Sequence, residues 1–506
     1  MQRRAFLTGS AAAAITSQVP ARAQTAPVNV VQRFGFVADG KTDNYAAFRR
    51  LSEHATRIGG GRYLFPPGVY WVAKYRTTET YQRETFQQAR PADVINAVYK
   101  DCRNLELIGK GAVIRLNGRF HRAAKAKSAG LLAGIFMPFE LRRCDGVTIS
   151  GFEIDGGVRA MTKDDGVTEA YAALIALNGS RNVVLRDLYL HHSQTDAIYL
   201  GDDATLSGGR GVACRMVRME RVRCLNNARG AVAALQILGL TCTDCDFSGS
   251  AFGTGSYGRH APGFGVDVEP DRYLPADVDT MTGNLLFERC TFRGNFSAFL
   301  AAYPRKYQGY LRLIDCHSSN ANNAPHHMIL CWPGALLSGG THDMGSGTVW
   351  TSWDAMRGGD LTLRDATFRG NGPFGIFHAH PDNLVRLERV TLIATHRAPT
   401  FGAFPAIEAD PGGGRRNSVK ACRFVYPRAR KAAQPVAEPL ASFNHAVCEA
   451  NRFETDLPGA GGAHFIVMYH GNATVVGDRF TGTRPGLSDS IRPNAAHDTR
   501  LAYNRG

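Results

Sequence analysis

The chain of 506 residues has a formal net charge of +15, with 44% hydrophobic and 20% charged residues. These proportions are ordinary for a globular protein. No stretch approaches 18 consecutive apolar residues, so the sequence predicts no membrane insertion. The positive charge favours a polyanionic partner, whereas the lack of a basic run or a nucleic-acid motif argues against nucleic acid.

The first 23 residues are typical of a bacterial export signal. Arg3-Arg4-Ala5-Phe6-Leu7 begins a twin-arginine pattern, an apolar run follows, and Ala21-Arg22-Ala23 fits a cleavage site. We therefore predict a periplasmic or secreted protein. Cleavage removes three arginines and lowers the net charge from +15 to +12.

A helix and two strands are predicted near the start of the mature chain. The helix follows Asp43 or Asn44, either of which can cap it, and carries Phe48 and Leu51 on one face. The segment from Gly59 to Tyr70 then shows the order turn, strand, turn, strand.

Short strand-like segments recur along most of the chain. The first apolar residue of one such strand appears at intervals of 21 to 34 residues, at Ile198, Val232, Val266, Phe299, Met328, Val349, Ile376 and Ile407. Repeats of this length with little helical periodicity predict a solenoid, and short alternating strands predict a parallel β-helix. We expect this domain to span residues 28–481, with residues 482–506 as a C-terminal tail or cover. Several repeats end in Asn, such as Asn295, which is predicted to take the left-handed conformation at a coil corner.

The eleven cysteines are predicted to be buried free thiols. Cys245, Cys290, Cys316 and Cys422 occupy a repeat position where other repeats have Val or Ala, which favours small apolar residues over a disulfide framework. The pair His191-His192 falls at a coil corner, where hydrogen bonding in the turn explains it. We expect no zinc site, because the cysteines lack a second paired ligand motif with suitable spacing.

Stacked repeats place equivalent residues in rows along one face. One predicted row contains Tyr199, Ala233, Asp267, Leu300, Ile329, Trp350, Phe377 and Glu408, and a second contains Asp202, Tyr303, Trp332, Trp353 and His380. Aromatic faces can pack on sugar rings, while carboxylates and cations bind hydroxyls or uronates. The rows therefore predict a binding groove for a polysaccharide.

The strand within Gly263–Asp271 carries the predicted chemistry. Alternation places Val266 and Val268 on the core face and the carboxylates of Asp267 and Glu269 in solvent, about 6–7 Å apart by Cα. Paired carboxylates perform acid/base work on a glycosidic bond. We predict Asp267 and Glu269 as acid and base, assisted from two coils away by Asp202 or Asp203. The predicted substrate-binding residues are Tyr199, His260, Asp271, Tyr303, Arg305, Lys306, Trp332, Trp350, Trp353 and His380.

Two N-terminal segments, Phe34 to Asn44 and Gly59 to Tyr70, resemble the entry of the pectate-lyase superfamily. This β-helix group contains polygalacturonase-related and rhamnogalacturonase- or epimerase-like proteins. The resemblance implies an all-β, single-stranded right-handed parallel β-helix with a short N-terminal capping helix. Four further segments resemble the polygalacturonase motifs in the same order, and imply that Asp196 is among the catalytic acids. They are Gln194-Thr195-Asp196, Gly201-Asp202-Asp203, Gly258-Arg259-His260 and Arg305-Lys306.

Three functions stay open from the sequence. The first is hydrolysis of an acidic polysaccharide by a polygalacturonase-like enzyme, without a cofactor. The second is a lyase or epimerase, in which Tyr303, Arg305, Lys306 and His260 act near C5 and Asp267, Glu269 and Asp271 hold Ca²⁺. The third is a non-catalytic polysaccharide-binding β-helix. The sequence predicts no particular oligomeric state.

Overall fold

A computed structural model shows the chain as a stack of coils, each built from three short strands. The structure describes residues 26–73, 81–82, 96–117, 131–134, 136–160, 169–171, 173–203, 212–251, 263–269, 282–301, 307–320, 326–332, 334–345, 347–350, 360–370, 375–376, 384–394, 406–407, 414–426, 441–455, 467–470, 474–482, 491–493 and 500–502. Among them, no helix is long and apolar enough to cross a membrane.

Four long strands bend across two faces of the stack, and shorter strands continue those faces. The long strands are Arg103–Leu116, Asp145–Asp155, Arg181–His191 and Cys214–Leu225. Their first halves share the first face with the strands Val28–Asn29, Gly60–Leu64, Ile237–Thr243, Thr282–Glu288, Tyr307–Ile314, Ala335–Ser338, Leu361–Arg364, Val385–Glu388, Asn417–Lys420, Ala446–Glu449, Thr474–Val476 and Arg500–Ala502. Their second halves share the second face with the strands Gly68–Val72, Asp246–Ser248, Thr291–Asn295, His317–Asn320, Thr341–Gly345, Thr367–Gly370, Thr391–Ala394, Arg423–Tyr426, Arg452–Thr455 and Arg479–Gly482.

The third face carries the candidate site. Its strands are Val98–Lys100, Phe139–Arg142, Ile175–Asn178, Asp196–Gly201, Gly230–Ala234, Phe264–Val268, Ser297–Ala301, His326–Leu330 and Thr348–Trp350, followed in a separate sheet by Gly375–Ile376, Ala406–Ile407, Ala441–Asn444, Val467–His470 and Ile491–Pro493. A small sheet of Tyr81–Gln82, Leu131–Gly134 and Glu169–Tyr171 lies apart from the three faces. The helices are Val30–Phe34, Tyr45–Ile58 and the 3₁₀ turn Val158–Ala160.

The strand register confirms the predicted repeat. Ile198 pairs with Val232, Val232 with Val266, Val266 with Phe299, Phe299 with Met328 and Met328 with Val349, all in parallel. Each repeat is therefore one coil, and its first apolar residue lies above the equivalent residue of the next coil. The predicted all-β right-handed parallel β-helix is confirmed.

The helix Tyr45–Ile58 packs at the N-terminal end of the core. It buries Phe48 and Leu51 as predicted, and the Phe48 ring meets that of Phe36 at 4.9 Å. The Tyr45 N–H donates to Asp43 Oδ1 at 3.1 Å, so Asp43 supplies the cap. Asn44 instead accepts from the Val37 N–H at 2.7 Å, which ties the helix start to the preceding segment.

The left-handed corner residues differ from the prediction. Asn295 is not among them; its side chain accepts from the Ser250 N–H and donates to the Phe247 carbonyl, both at 2.8 Å. The left-handed positions between the first and second faces are mostly Asp and Arg residues, including Asp187, Arg221, Asp244, Arg289, Asp365 and Arg389, with Ala421 and Ala450 at two later corners. The Arg289 guanidinium donates hydrogen bonds to both carboxylate oxygens of Asp244 on the previous coil, at 2.7 and 3.1 Å. Such two-point pairing fixes one corner above the next.

All eleven cysteines are buried free thiols, as predicted. Cys290 lies between Cys245 and Cys316 of the adjacent coils, and Cys290 and Cys316 donate from their thiols to the carbonyls of Cys242 and Phe287, both at 3.4 Å. The C-terminal boundary was placed too early, because the strands Ile491–Pro493 and Arg500–Ala502 pair onto the coil before them. The β-helix therefore continues beyond residue 481.

The phenylalanine cluster around Phe299 gives a test of core packing. Phe299 is fully buried, and its ring centroid lies 5.1 Å from that of Phe287 and 6.1 Å from that of Phe292. We expect Phe299→Ala to lower the free energy of unfolding by about 3–5 kcal/mol, because it removes a buried ring and leaves a cavity.

Phe296→Ala is the matched control for urea unfolding followed by circular dichroism. Phe296 lies three residues away but is 37% exposed, so its change should be within about 0.5 kcal/mol. Equal losses for the two variants would contradict the packing described here.

Candidate functional site

The strand Phe264–Val268 places Asp267 in the outer row of the third face. Tyr199 pairs with Ala233, Ala233 with Asp267, Asp267 with Leu300, Leu300 with Ile329 and Ile329 with Trp350. The predicted row is thus confirmed from Tyr199 to Trp350. Gly263, at φ +74°, provides the turn into this strand, where a side chain would also collide with Phe296.

Asp267 is buried and not in solvent as predicted, with 4% of its surface exposed. Leu300, its neighbour in the row, forms a buried apolar cluster with Phe264, Ile329 and Cys331. An outward direction on this strand therefore does not mean contact with water, because this part of the row is covered. Among the residues that the structure describes, no group bonds to Asp267 Oδ1.

Burial changes the acidity of Asp267. Removal from water raises its pKa to about 8, and the negative charges of Glu269 and Asp196 add to that effect, while Arg229 opposes it. A carboxyl with this pKa holds its proton at neutral pH and can donate it. Glu269, two residues further along the chain, is half-buried and therefore reachable from solvent.

Asp196 and Arg229 form an ion pair on the two preceding coils. Arg229 Nη1 lies 3.0 Å from Asp196 Oδ2, and the Asp196 side chain crosses Gly230, its partner in the strand register. A Cβ at Gly230 would come within 2.5 Å of Asp196 Oδ1, so a larger residue there would displace the carboxylate. The structure therefore brings Asp196, Arg229, Asp267 and Glu269 into one electrostatic cluster.

The other two predicted acids lie two coils before Asp267 and hold local structure. Asp203 Oδ1 accepts from the Val212 N–H at 2.8 Å, and its Oδ2 lies 3.6 Å from Arg143 Nη1. Asp202 is buried near Cys214. Burial raises the pKa of the Cys214 thiol, and the negative charge of Asp202 raises it further. These contacts assign Asp203 a role in closing a loop, whereas its assistance to Asp267 stays a prediction.

Tyr199 keeps a partly exposed ring in the same row as Asp267. It packs against Met137, Ala173 and Ala176, which support the ring from below. Two coil steps separate it from Asp267, or about 10 Å at the spacing of paired strands. Tyr199 and Asp267 therefore lie in one row of the face, two coils apart.

The predicted position of Trp332 in a groove is wrong. Trp332 is fully buried in the main hydrophobic core, and its Nε1 donates to the Gly309 carbonyl at 3.4 Å. It follows the strand His326–Leu330 beyond its last paired residue, so the alternation that was extrapolated from the strand no longer applies there. Trp350 has its predicted place in the row through its pairing with Ile329.

Seven predicted binding residues lie outside the described residues. They are His260, Asp271, Tyr303, Arg305, Lys306, Trp353 and His380. Arg229 is a site residue that the sequence analysis missed. Its signal was its place directly before Gly230, the residue that stacks on Asp196 in the next coil.

Comparisons with known proteins identify no family for this chain. No protein-family model matches it, and no curated protein does either. Similar solved structures include an iota-carrageenase with bound iota-carrageenan fragments, at 10% identity and a TM-score of 0.42, over 82% of this chain and 93% of that one. A tailspike protein of E. coli bacteriophage HK620 with a pentasaccharide has 11% identity and a TM-score of 0.44, over 94% and 78%.

A third similar structure is PfbA, a surface adhesin of Streptococcus pneumoniae, with 12% identity, a TM-score of 0.37 and coverage of 94% and 90%. At these identities and TM-scores the likenesses carry no argument. The fold therefore rests on the strand pairing itself.

The buried carboxyl predicts a specific dependence of stability on pH. The folded-state pKa of Asp267 lies above its unfolded value, so the folded protein binds more protons between about pH 4 and 8. Its contribution to stability is complete below the unfolded pKa and is lost as the pH rises towards 8, by up to about 1.4 kcal/mol per pH unit.

Asp267→Asn removes this titration, so the variant should gain stability relative to the unmodified protein as the pH rises from 5 to 8. The measurement is the urea midpoint at each pH. Asp343→Asn, which removes an exposed carboxyl from a later coil, is the matched control. If the difference in urea midpoint between Asp267→Asn and the unmodified protein is constant with pH, Asp267 is not a buried, neutral carboxyl.

Proposed function

We propose that this protein is an exported glycoside hydrolase that cleaves an acidic polysaccharide with Asp267 as general acid and Glu269 as general base. The observation that carries the proposal is the contrast between two neighbouring acids. Asp267 is buried with a raised pKa, whereas Glu269 beside it is half-exposed. Pairs of carboxyl groups whose environments separate their protonation states are typical of acid/base sites.

The two residues can divide the reaction between them. Asp267 donates its proton to the glycosidic oxygen as the bond to the leaving sugar breaks. Glu269 accepts a proton from a water molecule that attacks the anomeric carbon, so one water is consumed and each product gains a hydroxyl. Glu269 directly follows the strand Phe264–Val268, and residues two apart in an extended chain are about 6–7 Å apart by Cα, which is compatible with the roughly 6.5–9.5 Å carboxyl separation of inverting enzymes.

The net positive charge of the chain and the partly exposed ring of Tyr199 favour an acidic polysaccharide as the substrate. The chain has a net charge of +15, and a positive field concentrates polyanions near the surface. The partly exposed Tyr199 ring can stack on a sugar in the row that contains Asp267. Twin-arginine export is part of the proposal, since it places the enzyme where such polymers occur outside the cytoplasm.

The first test is digestion of acidic and neutral polysaccharides, with new reducing ends and ultraviolet absorbance followed together. Hydrolysis predicts reducing ends without absorbance, and Asp267→Asn and Glu269→Gln should each lower kcat at least about 100-fold, the scale of general acid–base catalysis. Asp343→Asn is the matched control and should retain activity. Reducing ends with absorbance would identify a lyase instead, and binding without turnover would identify a binding protein.

The pH profile tests which carboxyl is the acid. Because Asp267 must be protonated to donate, kcat/KM should fall above about pH 8, where its carboxyl ionises. Arg229→Gln removes the positive charge that lowers the pKa of Asp267, so it should move this alkaline limb to higher pH. An alkaline limb that stays at the same pH in Arg229→Gln would contradict the assignment of Asp267 as the general acid.

A further inference from the structure

A second cluster of ionisable side chains lies at the corner between the second and third faces, before the strand that carries Asp196. Asp155 ends the strand Asp145–Asp155, and His191 ends the strand of the next coil. The two are partners in the strand register. His192 follows in a left-handed corner conformation, at φ 53°, which turns its ring back towards His191.

Three ligand-type atoms converge in this cluster. His191 Nδ1 lies 2.5 Å from His192 Nδ1, and Asp155 Oδ1 lies 3.8 Å from the first nitrogen and 3.9 Å from the second. A triangle with these sides has a central point about 2.0 Å from all three atoms, which matches zinc–nitrogen and zinc–oxygen bond lengths. The three atoms surround that point in one plane and leave the positions above and below it for further ligands.

The surroundings of His191 point independently to a metal ligand. Its other ring nitrogen, Nε2, lies 3.3 Å from Glu153 Oε1, and the Tyr189 ring stacks on the imidazole at 4.3 Å. A histidine that binds a metal through one nitrogen usually donates from the other to a carboxylate, which fixes the tautomer and the ring orientation. The Glu153 contact places the Nε2 proton, and so leaves the Nδ1 lone pair directed at His192 and Asp155.

Both imidazoles are well shielded, whereas Asp155 connects the cluster to solvent. His191 and His192 are 6% and 5% exposed, and Asp155 is half-buried.

We propose that Asp155, His191 and His192 form a binding site for one divalent transition-metal ion of the zinc class. Two imidazoles and a single carboxylate suit such an ion, whereas Ca²⁺ and Mg²⁺ prefer all-oxygen ligand sets. The ion joins adjacent coils at the corner that leads into the strand Asp196–Gly201. The bound ion stabilises that corner. The proposal does not depend on the hydrolase function.

A hydrogen bond between the two imidazoles is the competing explanation of their short separation. That arrangement needs one proton between the rings and no contribution from Asp155. Asp155 therefore separates the two explanations, since its carboxylate oxygen completes the metal triangle but lies beyond hydrogen-bond distance of either Nδ1.

The test is titration of tag-free, chelator-treated protein with Zn²⁺, followed by calorimetry and thermal unfolding. We expect one ion per chain and a Tm raised by about 2–5 °C at saturation. Asp155→Asn and His192→Gln should abolish both effects, and Glu153→Gln, which leaves the three ligands in place, should weaken binding about 10- to 100-fold. Mg²⁺ at the same concentration should leave the Tm unchanged.

His54→Gln is the control, because His54 belongs to the N-terminal helix and contacts Arg57. Circular dichroism establishes that each variant is folded before titration. Asp155→Asn alters a half-exposed side chain, so it keeps the test valid even where His192→Gln fails to fold. Absence of zinc binding by the unmodified protein, or undiminished binding by folded Asp155→Asn, would overturn the proposal.

Discussion

Parallel pairing between successive coils is the constraint on which the rest of the molecule depends. Each strand lies about 4.8 Å from its equivalent in the next coil, so every side chain must fit the residues directly above and below it. This requirement aligns the core residues from Ile198 to Val349, places thiol over thiol, and stacks Arg289 on Asp244 at the corners. It also leaves Asp196 enough room only because its partner is Gly230.

The same stacking determines the chemistry proposed for Asp267. Its neighbours in the row are Ala233 and Leu300, neither of which can form a hydrogen bond through its side chain. The carboxyl is therefore shielded from water, its Oδ1 has no hydrogen-bond partner among the described residues, and its neutral form is favoured. Such an arrangement reduces stability as the pH rises, and proteins commonly accept that loss where a residue has a catalytic task.

Strand alternation made the architecture and the row containing Asp267 predictable from the sequence. Period-two patterns and repeat spacing located the core positions. The place of the cysteines within the repeat, where other repeats have Val or Ala, correctly indicated buried thiols. Solvent exposure was not predictable in this way. Trp332 lies past the end of its strand, and Asp267 is buried next to Leu300, which belongs to an apolar cluster with residues from two later coils. Both outcomes depend on tertiary packing that local alternation does not encode.

Corner geometry and electrostatic partners were also beyond the sequence patterns. Many left-handed corners are Asp and Arg residues joined by ion pairs between coils, such as Arg289 on Asp244, although Asn has the higher intrinsic preference. The ion pair of Asp196 with Arg229, and the convergence of His191 and His192 on Asp155, each require the register between coils to be known. A pair of adjacent histidines alone is explained equally well by a turn.

Infrared difference spectroscopy can show whether Asp267 is protonated at neutral pH. The carbonyl stretch of a protonated carboxyl is compared between the unmodified protein and Asp267→Asn over pH 4 to 10. We expect a band that persists at pH 7, disappears near pH 8 and is missing from Asp267→Asn. A band that is lost near pH 4 would mean that Asp267 is ionised at neutral pH, which would contradict its role as the acid.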